Sequence, residues 1–185
     1  MNTFRINVTD IKKNIPSLQA GDKVLLSGEI YTARDAAHLK LISALNASEK
    51  LPFPLDGAII YYTGPTKTPE GMACGSAGPT TACRMDKFTP VLLENGLVCT
   101  IGKGNRSREV RESIVKNGTI YLSAIGGAGA LYAKHITKQE EIAFPELGCE
   151  SVKRLTVSDF PVIVAIDSLG RNIFELGKYE YGISH

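Results

Sequence analysis

The chain turns at Gly78-Pro79-Thr80-Thr81-Ala82-Cys83-Arg84-Met85-Asp86, a stretch that predicts a short helix directly after the turn. Proline fixes φ and glycine adopts conformations closed to other residues, so the Gly-Pro pair favours a turn. Thr80 or Thr81 can cap the first helical turn, and Arg84 lies on the same side of a helix as Thr80. A hydroxyl, a guanidinium and free N–H groups at a helix N-terminus suit a carboxylate. The alternative is a capped helix with a solvated arginine.

Strand and helix patterns alternate on both sides of this stretch. Residues 23–31 form an apolar strand candidate, and Thr32 is predicted to cap a helix over 33–45. Residues 64–80 form a long loop rich in Gly, Pro and Thr, and loops of that length are usually functional or disordered. Other strands are predicted over 58–63, 97–101, 119–123, 152–157 and 162–166, and other helices over 90–95 and 109–115. The alternation predicts an α/β fold in one domain, residues 1–185, with some antiparallel pairing near the C-terminus.

Composition and charge narrow the class of protein. The 185 residues are 43% hydrophobic and 22% charged, as in ordinary soluble domains. A net charge of +2 and the absence of Trp give no sign of a nucleic-acid partner. No apolar run approaches the roughly 20 residues that cross a bilayer, and the first residues lack the plan of a secretion signal. We therefore expect a cytoplasmic protein with no membrane partner.

The four cysteines stand far apart, and none belongs to a C-x-x-C pair. No zinc or cluster pattern can be drawn, so no metal site is predicted within the chain. Thiols at such spacing are mostly small buried hydrophobic side chains, and no disulfide is expected in a reducing compartment. The residues are Cys74, Cys83, Cys99 and Cys149.

A glycine-rich turn, Gly126-Gly127-Ala128-Gly129-Ala130, follows the strand at 119–123. Its spacing differs from the G-x-G-x-x-G of dinucleotide-binding folds. The glycines are predicted instead to let backbone pack closely or to let a helix start near a ligand.

Three loops at strand ends carry cations. Arg34 follows the strand at 23–31, Arg84 lies in the first stretch quoted, and Lys103 lies in Gly102-Lys103-Gly104-Asn105. Ligands of α/β sheets bind outside the carboxyl ends of the strands. If the three cations meet there, they form a site for a small dianion such as a dicarboxylate. The alternative is three unrelated solvated charges.

Four ordered motifs together resemble one family. They are Gly28-Glu29-Ile30-Tyr31-Thr32-Ala33-Arg34-Asp35-Ala36-Ala37-His38, Tyr62-Thr63-Gly64-Pro65, Gly78-Pro79-Thr80-Thr81-x-x-Arg84-Met85-Asp86 and Gly102-Lys103-Gly104-Asn105. Over residues 20–175 the chain resembles the β component of the iron–sulfur hydro-lyases, the class I fumarases and L-tartrate dehydratases. The resemblance implies a swivelling β/β/α domain with a mixed sheet. A chain of this length looks like the separate β subunit.

The resemblance also implies an activity and a partner. The family reversibly adds water across a carbon–carbon double bond, as in fumarate to L-malate, and the tartrate reaction is an alternative. A [4Fe–4S] cluster, held by three cysteines of an α subunit, acts there as a Lewis acid. The β part supplies side chains that bind the dicarboxylate over the cluster. The chain is therefore expected to be inactive alone and to form a dimer of αβ units.

Residue roles are carried over from the same resemblance. Arg34, Arg84 and Lys103 are implied to bind the two carboxylates, and Thr80 to act at the proton that is abstracted. A threonine that only orients substrate is the alternative, because a hydroxyl is a poor base unless neighbouring charges assist it. His38 is implied to hydrogen-bond substrate, or else to brace Arg34.

Three further residues of the motifs are given structural roles. Asp86 is predicted to pair with Arg84 or to cap backbone, and Asp35 to belong to the helix cap. Cys83 stands where the family pattern suggests a small residue, and it is interpreted as a packing substitution rather than a cluster ligand.

Two other classes of function stay open. A self-sufficient module that binds small anions or nucleotides would bind its ligand tightly as the isolated chain. A scaffold subunit would tolerate substitutions at Arg34, Thr80 and Lys103 without effect.

Overall fold

The computed structural model describes residues 1–180, with the backbone alone for 177–180, so the last residues of the predicted domain 1–185 lie outside the described range. Within this range, seven strands alternate with α-helices and short 3₁₀ helices. The strands are β1 Thr3–Asn7, β2 Lys23–Thr32, β3 Ile59–Tyr61, β4 Cys99–Gly102, β5 Ile120–Ser123, β6 Ile136–Ala143 and β7 Val152–Ile166. The helices are α1 Ile11–Asn14, α2 Asp35–Asn46, α3 Thr89–Glu94, α4 Arg108–Asn117, α5 Gly129–Lys134 and α6 Ile173–Glu180. The 3₁₀ helices are Val8–Asp10, Ile15–Ser17, Ala82–Met85 and Pro145–Glu150.

The strands form one mixed sheet that closes on itself. Strands β2, β3, β4 and β5 are parallel neighbours in that order. The long strand β7 runs antiparallel to both β5 and β2, which closes a five-stranded ring. Strand β1 pairs with β2, and β6 pairs with β7. The α/β class, the mixed sheet and the antiparallel pairing near the C-terminus are confirmed.

Two hydrophobic cores lie on the two faces of the ring. Ile59 and Tyr61 of β3 pack into one core, and Ile60 and Tyr62 pack into the other. The alternation follows from the period of two in a strand. The second core joins the ring to α2, α3 and α4 through residues such as Leu41, Leu92 and Ile114. Because α2 and α4 each begin shortly after a parallel strand ends, their N-termini lie at the carboxyl edge of the sheet.

The predicted side-chain caps do not form. Thr32 ends β2, and its hydroxyl accepts the N–H of Lys153 at 2.9 Å, so it is part of the sheet. The N-cap of α2 is Arg34, whose side chain makes no cap hydrogen bond. Thr81 is the N-cap of the 3₁₀ helix Ala82–Met85, again without a side-chain cap. Backbone pairing with neighbouring strands therefore outweighs the local capping preference.

Other differences arise where sequence signals are weak or misleading. The predicted strands 152–157 and 162–166 are one strand, because Asp159 takes a φ of 46° and donates its N–H to the Ser27 hydroxyl at a bulge. Strand β6 was not predicted, since its sequence ITKQEEIA is largely polar and exposed. No helix of the described residues is long and apolar enough to cross a membrane.

Candidate active site

The carboxyl ends of the parallel strands carry the predicted site. Because β2, β3, β4 and β5 run in one direction, the residues that follow them share one edge of the sheet. Arg34 follows β2, Lys103 follows β4 directly, and the long loop 64–80 leaves the end of β3. The edge therefore receives all three of the predicted cationic loops.

The motif Gly78–Asp86 is fixed across this edge by backbone pairing. The N–H of Thr80 donates to the Tyr62 carbonyl at 2.6 Å, and the Thr80 carbonyl accepts the N–H of Lys103 at 3.2 Å. The N–H of Ala82 then donates to the Lys103 carbonyl at 2.9 Å. A Cβ on Gly102 would lie 2.9 Å from the Cβ of Ala82 and from the Tyr62 ring, so only glycine leaves room for this crossing.

The glycine-rich turn supports the motif from the other side. A Cβ on Gly129 would lie 2.3 Å from the Ser76 hydroxyl and 2.9 Å from the Gly78 nitrogen. Gly129 also starts α5, and its carbonyl accepts the N–H of Ala77 at 3.1 Å. The prediction that these glycines allow close backbone packing is confirmed at Gly129.

Arg84 lies at the rim of the site and is held by one carboxylate. Its Nε is 3.1 Å from Oδ1 of Asp35, and its Nη2 is 2.7 Å from Oδ2. The Arg84 side chain is 49% exposed, and that of Asp35 is 33% exposed. Asp35 is the first residue of α2, but its carboxylate contacts Arg84 and does not form the predicted helix cap.

Arg34 lies deeper than Arg84. Its Nη2 is 3.3 Å from Oε1 of Glu150, and both side chains are only about one-fifth exposed. A Cβ on Gly64 would lie 3.0 Å from Nη1, so the guanidinium packs directly over this glycine of the Tyr62–Pro65 motif. Within the described residues the Nε of Arg34 is buried without a hydrogen-bond partner.

The Lys103 ammonium and the Thr80 hydroxyl have no polar partner among the described residues. The stem of Lys103 passes Gly126, where an added Cβ would lie 3.4 Å from Cδ. Lys103 is exposed and forms no ion pair with the described part of the chain. Among the same residues, the Thr80 hydroxyl has no hydrogen bond, although both backbone groups of Thr80 are paired. A hydroxyl and an ammonium thus lie uncommitted on the same edge of the sheet as the two arginines.

His38 is fully buried between aromatic rings. Its Nδ1 donates to the Arg34 carbonyl at 2.8 Å, and the ring packs against Tyr62 and Phe88 at 5.4 and 5.5 Å. Burial lowers the pKa of His38 to about 4, so the imidazole is neutral at neutral pH. The contact that the structure shows is the bracing one, and direct contact with substrate would require the ring to become exposed.

Asp86 forms a buried network, and its predicted pairing with Arg84 is wrong. Its Oδ1 is 2.6 Å from Nε of Arg106, and its Oδ2 accepts the N–H of Ser107 at 2.7 Å, which confirms the backbone cap. The Arg106 guanidinium also donates to the hydroxyls of Thr100 and Thr89. Arg106 was missed, although its place directly after the Gly102–Asn105 motif was a usable signal.

Comparison with known proteins identifies the family. A family model described as Fumarase C-terminus matches residues 1–177. The chain belongs to this family. It is 42% identical over 170 residues to a protein named as L(+)-tartrate dehydratase subunit beta from Methanocaldococcus jannaschii, covering 89% of this chain and 87% of that protein.

Longer proteins contain the same Fumarase C-terminus region. The chain is 40% identical over 169 residues to fumarate hydratase 2 of Leishmania major, and 38% identical over 170 residues to the aerobic class I fumarate hydratase of Salmonella typhimurium. The matches cover 90% and 91% of this chain but 30% and 29% of the hydratases. The chain thus spans about 30% of the length of these relatives. The resemblance to fumarases and tartrate dehydratases is confirmed.

The cysteines of this Fumarase C-terminus domain do not form a metal-binding cluster within the described residues. Cys74 and Cys99 are buried as predicted, and burial raises the pKa of both thiols, that of Cys74 to about 11. Cys83 and Cys149 are exposed, so the expectation of burial and the packing interpretation of Cys83 are wrong. Across the described residues, no group of three His, Cys, Asp or Glu side chains could hold a metal ion. The described donor set therefore does not fit an iron–sulfur cluster.

Glu150 is a further member of the edge that the sequence did not reveal. It is separated by more than a hundred residues from Arg34 and from Ala36, whose N–H it accepts. Nothing in the local sequence of the 3₁₀ helix Pro145–Glu150 pointed to the site.

Proposed function

We propose that this chain is the β subunit of a [4Fe–4S]-dependent hydro-lyase that reversibly hydrates fumarate to L-malate. In this proposal the cluster is held by a separate α subunit, and the chain is active only with that partner. One observation carries the proposal: Arg34, Arg84 and Lys103 lie on loops that meet at one edge of a Fumarase C-terminus domain. The proposal includes a dimer of αβ units, as the family resemblance implies, and a location in the cytoplasm, as expected from the sequence.

Two arginines and a lysine match the charge of a dicarboxylate. Guanidinium groups can bind carboxylates through two parallel hydrogen bonds. The Arg84–Asp35 pair shows that the Arg84 guanidinium already holds a carboxylate, through one hydrogen bond from Nε and an ion-pair contact at Nη2. A substrate carboxylate would take the place of Asp35 on Arg84, since that pair is exposed and cheap to exchange. Arg34 and Lys103 would receive the second carboxylate from the deeper side and from the β4 loop.

Thr80 is proposed to act at the carbon from which the proton is removed. Its backbone is held by Tyr62 and Lys103, so the hydroxyl is presented at a fixed place on the edge. A hydroxyl is a weak base, and the cationic surroundings lower the cost of a partial alkoxide. Orientation of substrate without proton transfer is the alternative role. The cluster, when bound by the partner, would supply Lewis-acid activation of the substrate oxygens.

The alternative substrate is L-tartrate. The observation that favours it is the match to the protein named as tartrate dehydratase subunit beta, of which the chain covers 87%, against about 30% for the fumarate hydratases. Both substrates are dicarboxylates, so the cationic edge serves either one.

The proposal is tested by anaerobic reconstitution. The chain is purified together with an α-type subunit that carries three cluster cysteines, and fumarate hydration and tartrate dehydration are followed separately. Activity of the complex with fumarate, and none from the chain alone, is the expected result. Turnover of tartrate alone would favour the alternative substrate. If neither substrate turns over, and the lone chain binds dicarboxylates or ATP tightly by calorimetry, the chain is an anion-binding module instead.

A further inference from the structure

Glu150 reaches the candidate site from a distant part of the chain. It ends the 3₁₀ helix Pro145–Glu150, and the two oxygens of its carboxylate contact two different groups at the start of α2. Oε2 accepts the N–H of Ala36 at 3.1 Å, and Oε1 lies 3.3 Å from Nη2 of Arg34. The Glu150 side chain is 22% exposed, so both contacts are largely shielded from solvent.

The start of α2 needs this carboxylate because the helix has no cap of its own. Arg34 is the N-cap, and its side chain makes no cap hydrogen bond. The first N–H groups of a helix lack intrahelical partners and carry partial positive charge. Glu150 supplies both an acceptor and a negative charge at that point, although it belongs to another segment.

The Arg34 guanidinium is confined on two sides, and the Arg34 backbone is held as well. Gly64 lies against Nη1, where an added Cβ would approach to 3.0 Å, and Glu150 lies at Nη2. The Arg34 carbonyl accepts a hydrogen bond from Nδ1 of the buried His38. A long side chain that is already ordered loses less entropy when it binds a ligand than one that is free.

We propose that Glu150 is a positioning residue that holds Arg34 for the substrate carboxylate. This inference rests on the proposed function, since it takes Arg34 as a group that binds substrate. Glu150 does not contact substrate in this account. It acts through Arg34, whose side chain remains about one-fifth exposed at the edge of the sheet.

A glutamine cannot replace Glu150 in this role. The carboxylate offers one oxygen to Arg34 and the other to the N–H of Ala36, and an amide offers only one oxygen. In Glu150→Gln one of the two donors therefore faces an NH₂ group. Glu150→Asp keeps the charge and both oxygens and serves as the conservative variant.

The same helix pair contains a matched control. Lys40 of α2 and Glu146 of the 3₁₀ helix form an ion pair of 2.7 Å, with side chains 44% and 56% exposed. Glu146→Gln makes the same change of charge in the same segment, against the same helix, and away from Arg34. It is expected to leave Arg34 and the kinetics unchanged.

The first measurement uses the isolated chain and needs no activity. The ¹⁵N–¹H signal of the Arg34 Nε–H is identified by its loss in Arg34→Lys. We expect it to be resolved in the wild type and in Glu146→Gln, and to move and broaden in Glu150→Gln. Circular dichroism and thermal unfolding check that each variant folds, and Glu150→Asp provides the second variant should Glu150→Gln unfold. An unchanged Arg34 signal in Glu150→Gln overturns the inference while leaving the proposed function intact.

The second measurement uses the reconstituted αβ complex. Loss of a partner that orients a metal-binding side chain typically costs about 10–100-fold in affinity or activity. By the same reasoning we expect KM for the dicarboxylate to rise about 10-fold in Glu150→Gln. We expect kcat to stay within about threefold, because the lost interaction serves ground state and transition state alike. Glu150→Asp should recover part of the KM. A moved Arg34 signal with unchanged KM would remove Arg34 from the substrate site, and an equal KM rise in Glu146→Gln would overturn the positioning role.

Discussion

Two ion pairs that begin within one motif have opposite characters. Arg84 and Asp86 are two residues apart, yet Arg84 pairs at the rim with Asp35, whereas Asp86 pairs in the interior with Arg106. The Arg106 side chain has no exposed surface, and the Arg84 side chain is 49% exposed. Arg106 also lies between the rings of Tyr62 and Tyr121, at 5.4 and 4.9 Å.

The difference separates a structural cation from one that is available to a ligand. The Arg106 guanidinium contacts a carboxylate, hydroxyls and aromatic rings of the protein, so its charge is paired within the fold and is not available to a ligand. Arg84 is held by one carboxylate that water already reaches. Exchange of a solvent-exposed partner costs little, whereas loss of a buried partner leaves a charge uncompensated.

The largest expected effect is on the buried pair. Asp86→Ala leaves Arg106 charged, buried and without its carboxylate, and it removes the cap on Ser107. Breaking a buried pair from one side costs about 3–5 kcal/mol, a large share of the stability of about 5–15 kcal/mol typical of a domain. Urea unfolding of the isolated wild-type and Asp86→Ala chains measures this loss of unfolding free energy. A loss below about 1 kcal/mol would show that Arg106 does not depend on Asp86.

The second prediction concerns Arg84 in the reconstituted complex. Arg84→Ala leaves a substrate carboxylate unpaired, which costs about 2–5 kcal/mol in kcat/KM, or about 30-fold and more. The unfolding free energy should change by about 1 kcal/mol or less, because the Arg84–Asp35 pair is exposed. Arg108→Ala is the control, since Arg108 pairs with Glu112 on the exposed face of α4. Wild-type kinetics in Arg84→Ala would remove Arg84 from the site.

The buried side of the comparison also predicts a pH dependence at His38. Burial lowers its pKa to about 4, against about 6.5 in the unfolded chain. Above about pH 6.5 the His38 imidazole is neutral in both the folded and the unfolded state. Its titration therefore takes nothing from the free energy of unfolding in that range. As the pH falls from about 6.5 to about 4, His38 becomes protonated in the unfolded chain but stays neutral in the folded protein. The free energy of unfolding therefore falls by about 3 kcal/mol in total.

His38→Phe is the matched variant for this pH effect. It keeps an aromatic ring against Tyr62 and Phe88 and removes the titrating group. Urea unfolding between pH 7 and pH 4 should show a smaller decline in the variant than in the wild type. Parallel declines would mean that the folded protein protonates His38 normally.

The smallest effect is expected at Asp35. Asp35→Asn removes the negative charge that pairs with the Arg84 guanidinium, so the residue competes less with a substrate carboxylate. An exposed pair is worth about 0.2–1 kcal/mol, so KM should fall by no more than about fivefold. Steady-state kinetics of the complex measure this change. A large rise in KM would make Asp35 a residue that positions Arg84, as Glu150 is proposed to position Arg34.

The sequence predicted the ring strands and the cationic loops, but not which partner each charge takes. Apolar runs marked β3, β4 and β5, because strands buried on both faces are continuous in hydrophobicity. Strand β2 was found from its many apolar residues, although buried and exposed positions alternate along part of it. Arg84 and Asp86 looked like partners of one another, and the fold sends them to Asp35 and Arg106 instead.

Long-range placement explains the remaining errors. Glu150 enters the site only because strands β6 and β7 return the chain to the start of α2. The polar strand β6 lacks the alternation that marks a half-buried strand, so no strand was predicted in the segment leading to Glu150. The assignment of site residues itself came from resemblance to a family, since three separated cations carry no signal of proximity.

The position of the dicarboxylate can be seen in a structure of the reconstituted αβ complex with substrate bound. We expect the guanidinium groups of Arg34 and Arg84 and the ammonium of Lys103 to lie within hydrogen-bond distance of the two carboxylates, with the Thr80 hydroxyl beside the reacting carbons. A dicarboxylate bound away from the carboxyl ends of β2, β3 and β4 would contradict this expectation.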